Sequence, residues 1–128
     1  GHCPFHPNCM ESLASGPAIM ERWGAPAAEL ADRKEVWEME AYYIAQAITD
    51  YILTYSPQKI ILWGGVMHQE KLYPMVRKKV QELLNGYVHH EMITAQIENY
   101  IVPPALGDDP GILGAIRLGM MELGEVGR

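Results

Sequence analysis

Three side chains of the kinds that bind metal ions stand close together near the start of this 128-residue sequence. They are Cys3, His6 and Cys9, in the run His-Cys-Pro-Phe-His-Pro-Asn-Cys, and they include both cysteines of the chain. Two thiolates and an imidazole at C-x2-H-x2-C spacing supply three of the four ligands that a structural zinc ion takes. Pro4 and Pro7 favour the tight turns that would bring the donors onto one ion. The competing reading is a reducible surface loop or a Cys3–Cys9 disulfide. His2 is a poor fourth ligand, because adjacent residues seldom point at the same ion. The missing ligand leads us to expect further chain upstream.

Glu11 follows Cys9 closely, in a loop that a metal would hold rigid. Its carboxylate could accept hydrogen bonds from a hydroxylated ligand. Spacing alone favours the plainer reading, a solvated glutamate in a first helical turn. Gly64-Gly65 follows an apolar run and precedes an amphipathic one. Glycines after a strand let backbone approach a phosphate or an adenine, and a following helix end favours anions. Two glycines without a longer fingerprint are a weak signal, and the residues alone favour a plain tight turn over a nucleotide site. His89-His90 reads as an exposed pair, Asp108-Asp109 as helix capping, and Met120 with Met121 as core.

The elements that must position these residues follow from periodicity. A loop over 1–11 leads into a short helix from about Leu13 to Trp23, with Ser12 as its cap and Gly24 as its stop. Asp32-Arg-Lys-Glu35 has the form of a capping box. Behind it Trp37, Ala41, Ile44, Ile48, Ile52 and Tyr55 make an apolar stripe that Ser56-Pro57 ends. Ile60-Ile61-Leu62 reads as a buried strand. A helix from about Tyr73 to Leu84 follows, stopped by Asn85-Gly86. A second strand is expected within Gln96–Val102, before Pro103-Pro104. The last helix starts after Asp109 with Pro110 at its first position, and Gly111, Gly114, Ala115 and Gly119 make one side of it small. Strand–helix–strand order implies a right-handed crossover and an α/β fold in a single segment, 1–128. Two strands cannot form a sheet that covers these helices, which again implies a larger protein.

The net charge of −6 gives no electrostatic footprint for nucleic acid. Among scattered basic residues only Arg77-Lys78-Lys79 cluster, and a solvated helix face accounts for them. No apolar run reaches the length of a membrane span, and no leader pattern is visible. Two cysteines are no disulfide framework, so a reducing cytoplasm is expected. Aromatic residues on several sides of the 32–55 helix (Trp37, Tyr42, Tyr43, Tyr51, Tyr55) leave apolar surface for a partner lobe or a second subunit.

Three stretches together resemble the ROK family of sugar kinases and sugar-responsive repressors: Cys-Pro-Phe-His-Pro-Asn-Cys-Met-Glu-Ser-Leu-Ala-Ser-Gly-Pro-Ala-Ile (3–19), Ile-Ile-Leu-Trp-Gly-Gly-Val-Met (60–67) and Leu-Gly-Asp-Asp-Pro-Gly-Ile-Leu-Gly-Ala (106–115). Their order matches the family's C-terminal half. His6 is similar to the bacterial fructokinase-type branch. The resemblance implies a ribonuclease-H-like, actin-like two-lobed kinase, of which 1–11 is the zinc-binding loop and 12–128 an α/β lobe. It implies that Cys3, His6 and Cys9 hold structural zinc, with a fourth ligand from an upstream Glu-Xaa-Gly-His motif. It implies that Glu11 accepts from sugar hydroxyls and that Gly64 and Gly65 line the nucleotide site. The co-substrate would be ATP with Mg, the acceptor a hexose, most simply fructose, and the assembly a homodimer. The family's phosphate loop and catalytic aspartate belong upstream, so no general base is assigned here and the chain alone is expected to be inactive. The family usually has a third glycine where this chain has Trp63, an indole that would crowd the nucleotide or pack on the core. The alternatives are a sugar-responsive repressor of the same family, or a free-standing zinc-binding interaction domain.

Overall fold

A computed structural model describes residues 3–107, 109–122 and 124. His2 and Asp108, considered above as ligand and cap, lie outside the described residues. The chain opens with two short helices, α1 (Met10–Ala14) and α2 (Gly16–Trp23), and a 3-10 turn, Ala27–Leu30. The long helix α3 (Lys34–Tyr55) leads to strand β1 (Ile60–Ile61), a 3-10 turn Gly65–His68, and α4 (Leu72–Leu84). Single-turn helices α5 (Glu91–Thr94) and α6 (Ile97–Tyr100), strand β2 (Ile101–Val102) and α7 (Pro110–Glu122) complete the chain.

The expected helix over 13–23 is broken in two. Ser15 is extended and its hydroxyl accepts from the Ala18 N–H, so it starts a new helix with Pro17 in the first turn. The earlier helix starts at Met10, which places Ser12 inside it, buried, and not at its cap. Gly24 ends α2 at φ 72°, as its lack of a Cβ allows. The capping box at Asp32 does not form. Arg33 precedes the first turn of α3, and Glu35 instead accepts from its guanidinium at 2.9 and 2.6 Å. A guanidinium fork is a stronger partner for a carboxylate than one exposed amide.

The core lies along α3. Val36, Trp37, Ala41 and Ala45 are fully buried and Ile44, Ile48 and Ile52 nearly so, facing Leu72, Val76, Val80 and Leu84 of α4. The Trp37 indole donates to the Leu30 carbonyl at 2.8 Å, which satisfies its one polar atom. The stripe stops one turn before the helix does, because Tyr55 is 74% exposed.

β1 and β2 pair in parallel, Ile60 with Ile101 and Ile61 with Val102. The α/β expectation holds among the described residues as this one small sheet under many helices. Most of the segment expected as a second strand is helix: Ile97–Tyr100 turns once before the chain extends. Tyr73 donates to the Leu62 carbonyl and Tyr100 to the Pro57 carbonyl, bracing both ends of β1. Arg77 does not belong to a solvated face. Its Nε and Nη2 donate to the Ile101 carbonyl at 2.9 and 2.8 Å, occupying the outer edge of β2. Helix α7 buries none of its described side chains; Met120 and Met121 are only half-buried, so they are not core here. No helix of the described residues is long and apolar enough to cross a membrane.

Arg77→Ala leaves the Ile101 carbonyl without its charged donor and should lower the unfolding free energy by about 1–3 kcal/mol, whereas Lys78→Ala should change it by less than about 0.5 kcal/mol. Urea melts of the two variants check this; equal effects would return Arg77 to the solvated face.

Candidate functional site

The loop ahead of α1 brings its three donors together. The ligand atoms of Cys3, His6 and Cys9 all lie within 4.8 Å of one another. Cys3 Sγ stands 3.8 Å from His6 Nδ1. Donors about 2.0–2.3 Å from one tetrahedral ion are separated by roughly 3.5–3.8 Å, so the loop is near the spacing that a zinc-sized ion needs. Both cysteines are free thiols, half-buried, so the Cys3–Cys9 disulfide does not form.

Backbone and side chain organise this turn jointly. The His6 N–H points at Cys3 Sγ at 3.4 Å. Ser12 Oγ donates to the His6 carbonyl at 2.9 Å. Hydrogen bonding from the Ser12 backbone is the largest cause that holds the Cys9 thiol below its ordinary value, towards the thiolate that binds metals, and the thiol points at Ser12 Oγ at 3.6 Å. Ser12, which the sequence suggested as a cap, is therefore the loop's anchor. Glu11 sits in the first turn of α1 with its carboxylate exposed, beside the loop that Cys9 ends.

The glycine turn makes a separate cleft. Gly64 adopts φ 124°, a region that L side chains rarely enter. A cleft of about 300 Å³ is lined by Trp63, Gly64, Met67 and Tyr73 after β1 and by Pro103, Pro104 and Gly107 after β2. Gly65 begins a 3-10 turn and does not line it. That turn separates the glycines from α4, so the helix N-terminus does not follow them directly. No residue of the 3–11 loop lines this cleft. Trp63 neither fills it nor joins the core; it is 55% exposed.

Sequence reading missed a buried charge beside the loop. Glu40 is fully buried on α3. Arg22 Nη1 lies 3.9 Å from its carboxylate, while Arg22 Nη2 donates to the Leu13 carbonyl at 2.9 Å. One guanidinium thus links α1, α2 and α3. Neither Glu40 oxygen has a hydrogen-bond partner among the described residues. Burial, opposed by the Arg22 charge, pushes Glu40 up to about 7. The signal was available: Glu40 falls at i+3 from Trp37 and i+4 to Ile44, inside the apolar stripe. His90 was also missed as a cap; its Nδ1 accepts from the Met92 N–H at 3.2 Å. A larger cavity, about 450 Å³, lies among Ile52, Pro57, Tyr87, His90, Met92 and Tyr100 and holds none of the site residues expected from sequence.

A parallel strand–helix–strand unit with a glycine turn after its first strand follows the Cys/His donor loop in this chain. The chain belongs to the ROK family, whose sequence pattern matches residues 1–121. It is 49% identical over 118 residues to a putative fructokinase of Bacillus subtilis, covering 92% of this chain and 40% of that protein. It is 40% identical over 122 residues to a fructokinase of Pediococcus pentosaceus, covering 95% of this chain and 41% of that protein. An N-acetylmannosamine kinase of Haemophilus influenzae is 30% identical over 124 residues, with 84% of this chain and 37% of that protein covered. The chain therefore spans about two fifths of the length of the curated relatives it matches.

Glu40 sets a pH dependence. Its folded value of about 7 exceeds the ordinary 4.5, so its favourable contribution is complete below pH 4.5 and is lost as pH rises through 7. The gap corresponds to about 3 kcal/mol. Denaturation at pH 5 and pH 8 should show the chain less stable at pH 8, and Glu40→Gln should remove most of that difference. An unchanged slope in the variant would assign it elsewhere.

Proposed function

We propose that this chain is the C-terminal portion of an ATP-dependent hexose kinase that transfers the γ-phosphoryl group of ATP to fructose, giving fructose 6-phosphate. The observation that carries the reading is a converged Cys3/His6/Cys9 donor set immediately ahead of Glu11, in a chain about half identical to a relative named a fructokinase. The relatives reported above are named as kinases, and nothing observed favours the repressor alternative.

In this reading Cys3, His6 and Cys9 hold a structural zinc ion, with a fourth ligand from the protein upstream. Bound there, zinc supplies a cross-link and no chemistry on the phosphate. The residues of this chain do the positioning. The Ser12–His6 hydrogen bond and the Arg22–Leu13 bond fix both sides of the turn that carries Glu11. Glu11, acceptor-only when ionised, binds two sugar hydroxyls and orients the ring. Gly64, with Gly65 behind it, lets backbone approach the nucleotide, which arrives with Mg. The general base that takes the hydroxyl proton belongs to the upstream portion, as does the loop that holds the phosphates. The whole enzyme acts in the cytoplasm as a homodimer.

The full-length protein, assayed with ATP and fructose by coupled detection of fructose 6-phosphate, should turn over, and the 128-residue chain alone should not. Glu11→Ala should raise the KM for fructose by roughly 10–100-fold, the loss expected when hydrogen bonds to a charged group are removed. Failure of the full-length protein to phosphorylate any hexose would reject the reading. Turnover by the isolated chain would reject the placement of the base. Cys9→Ser should lower zinc content per chain and the melting temperature together; a variant that keeps full zinc would remove Cys9 from the ligand set.

A further inference from the structure

Trp63 occupies an unusual position for a large aromatic residue. Of the three tryptophans, Trp37 is fully buried and Trp23 half-buried, but Trp63 keeps 55% of its surface exposed. It does so as a wall of the cleft beside Gly64. The benzenoid edge of its indole abuts Gly111 in the first turn of α7: a Cβ on Gly111 would lie 3.2 Å from Cη2 and 3.9 Å from Cζ2. A residue without a side chain thus leaves room for one edge of the ring, while much of the indole stays open.

Apart from the polar side chains of His68, Glu70 and Tyr73, the wall of the cleft leaves room for a flat guest. Gly64, Pro103, Pro104 and Gly107 present little but backbone and ring carbons. Among the described residues no lysine or arginine lines it; His68 and Glu70 do, and the Glu70 carboxylate disfavours the phosphate end of a nucleotide there. Every nucleobase offers a π-face that stacks on an aromatic side chain, and the larger face of a purine stacks more strongly.

We propose that Trp63 is the platform on which the nucleobase of the phosphoryl donor stacks, and that it makes this protein prefer purine over pyrimidine triphosphates. The inference rests on the nucleotide reading of the cleft and adds to it a residue, a contact and a selectivity.

The test uses the full-length protein. Trp63→Ala should raise the KM for ATP by ~10-fold or more with little change in kcat, and should narrow the preference for ATP over CTP. Trp63→Phe should keep most of both. Inhibition by inorganic tripolyphosphate, which has no base to stack, should be the same in wild type and Trp63→Ala. ADP should quench tryptophan emission in wild type and lose that effect in Trp63→Phe, a readout that needs no turnover and stands if the alanine variant does not fold. An unchanged or lower KM for ATP in Trp63→Ala, or a matching loss of tripolyphosphate inhibition, would show that the ring only fills space beside α7. If the wild type neither uses nor binds any nucleoside triphosphate, the nucleotide reading itself fails and takes this inference with it. Normal ATP use with no Trp63-dependent quench defeats this inference alone.

Discussion

Burial of one face of α3 is the constraint on which the rest of the structure depends. The parallel pair has two residues per strand, too few hydrogen bonds to hold the fold together. Helix packing must supply the stability instead. Each fully buried large apolar side chain contributes about 1.5–3 kcal/mol, and α3 and α4 bring several face to face. The α1–α2 hook is held against α3 at one place and α4 covers it at another. The Cys/His loop and the glycine-turn cleft are therefore positioned by the same helix although no described residue of the loop lines the cleft.

The hook is fastened by polar contacts, and these carry a cost that apolar contacts would not. Arg22 reaches the Leu13 carbonyl, and it lies 3.9 Å from a Glu40 carboxyl that receives no hydrogen bond among the described residues. A buried acid so poorly solvated favours its neutral form. A hydrocarbon at position 40 would fill the space more stably but would leave no oxygen facing Arg22 Nη1. The arrangement makes sense if the orientation of α1, which bears Glu11, matters more than the last increment of stability. Ser12 has the same character: a buried hydroxyl spent on the His6 carbonyl, which shapes the loop from beneath.

How much of this was legible in the sequence depended on the range of each interaction. The Cys/His donors lie in one short loop, so their convergence could be read from spacing. Helices α3 and α4 announce themselves through period and stop signals, and α7 through Pro110 at its first position; the ends so marked fall close to where those signals stand. The segment 96–102 was read as strand because so few residues cannot separate a single helical turn from an extended run. Ser12 and Glu35 were read as capping partners because local patterns do not show that a carbonyl or a guanidinium nearby competes for them. Arg77, Glu40 and Trp63 were the least legible. Their partners are Ile101, Arg22 and Gly111, and only the folded chain brings those residues near. The exposed apolar side chains of α7, among them Ile112, Ile116 and Leu118, show the opposite failure: an apolar pattern need not mean burial within the same chain.

The Arg77 clasp has a consequence for how this small sheet can grow. Leu62 N–H bonds the Val102 carbonyl, so by alternation the N–H and C=O of Ile61 point away from β2. On the far side of β2 the corresponding carbonyl, that of Ile101, is already taken by a guanidinium. The pair is thus polarised like a zipper with one end stopped: its β2 margin is closed, and its β1 margin presents backbone groups beside Ile61, a side chain that is itself largely uncovered. Exposed edges of this sort recruit strands, whether from the same polypeptide or from a neighbouring molecule. One residue on α4 therefore gives the sheet a direction of extension, towards the margin at Ile61, where a further strand would find both backbone groups and an uncovered apolar side chain.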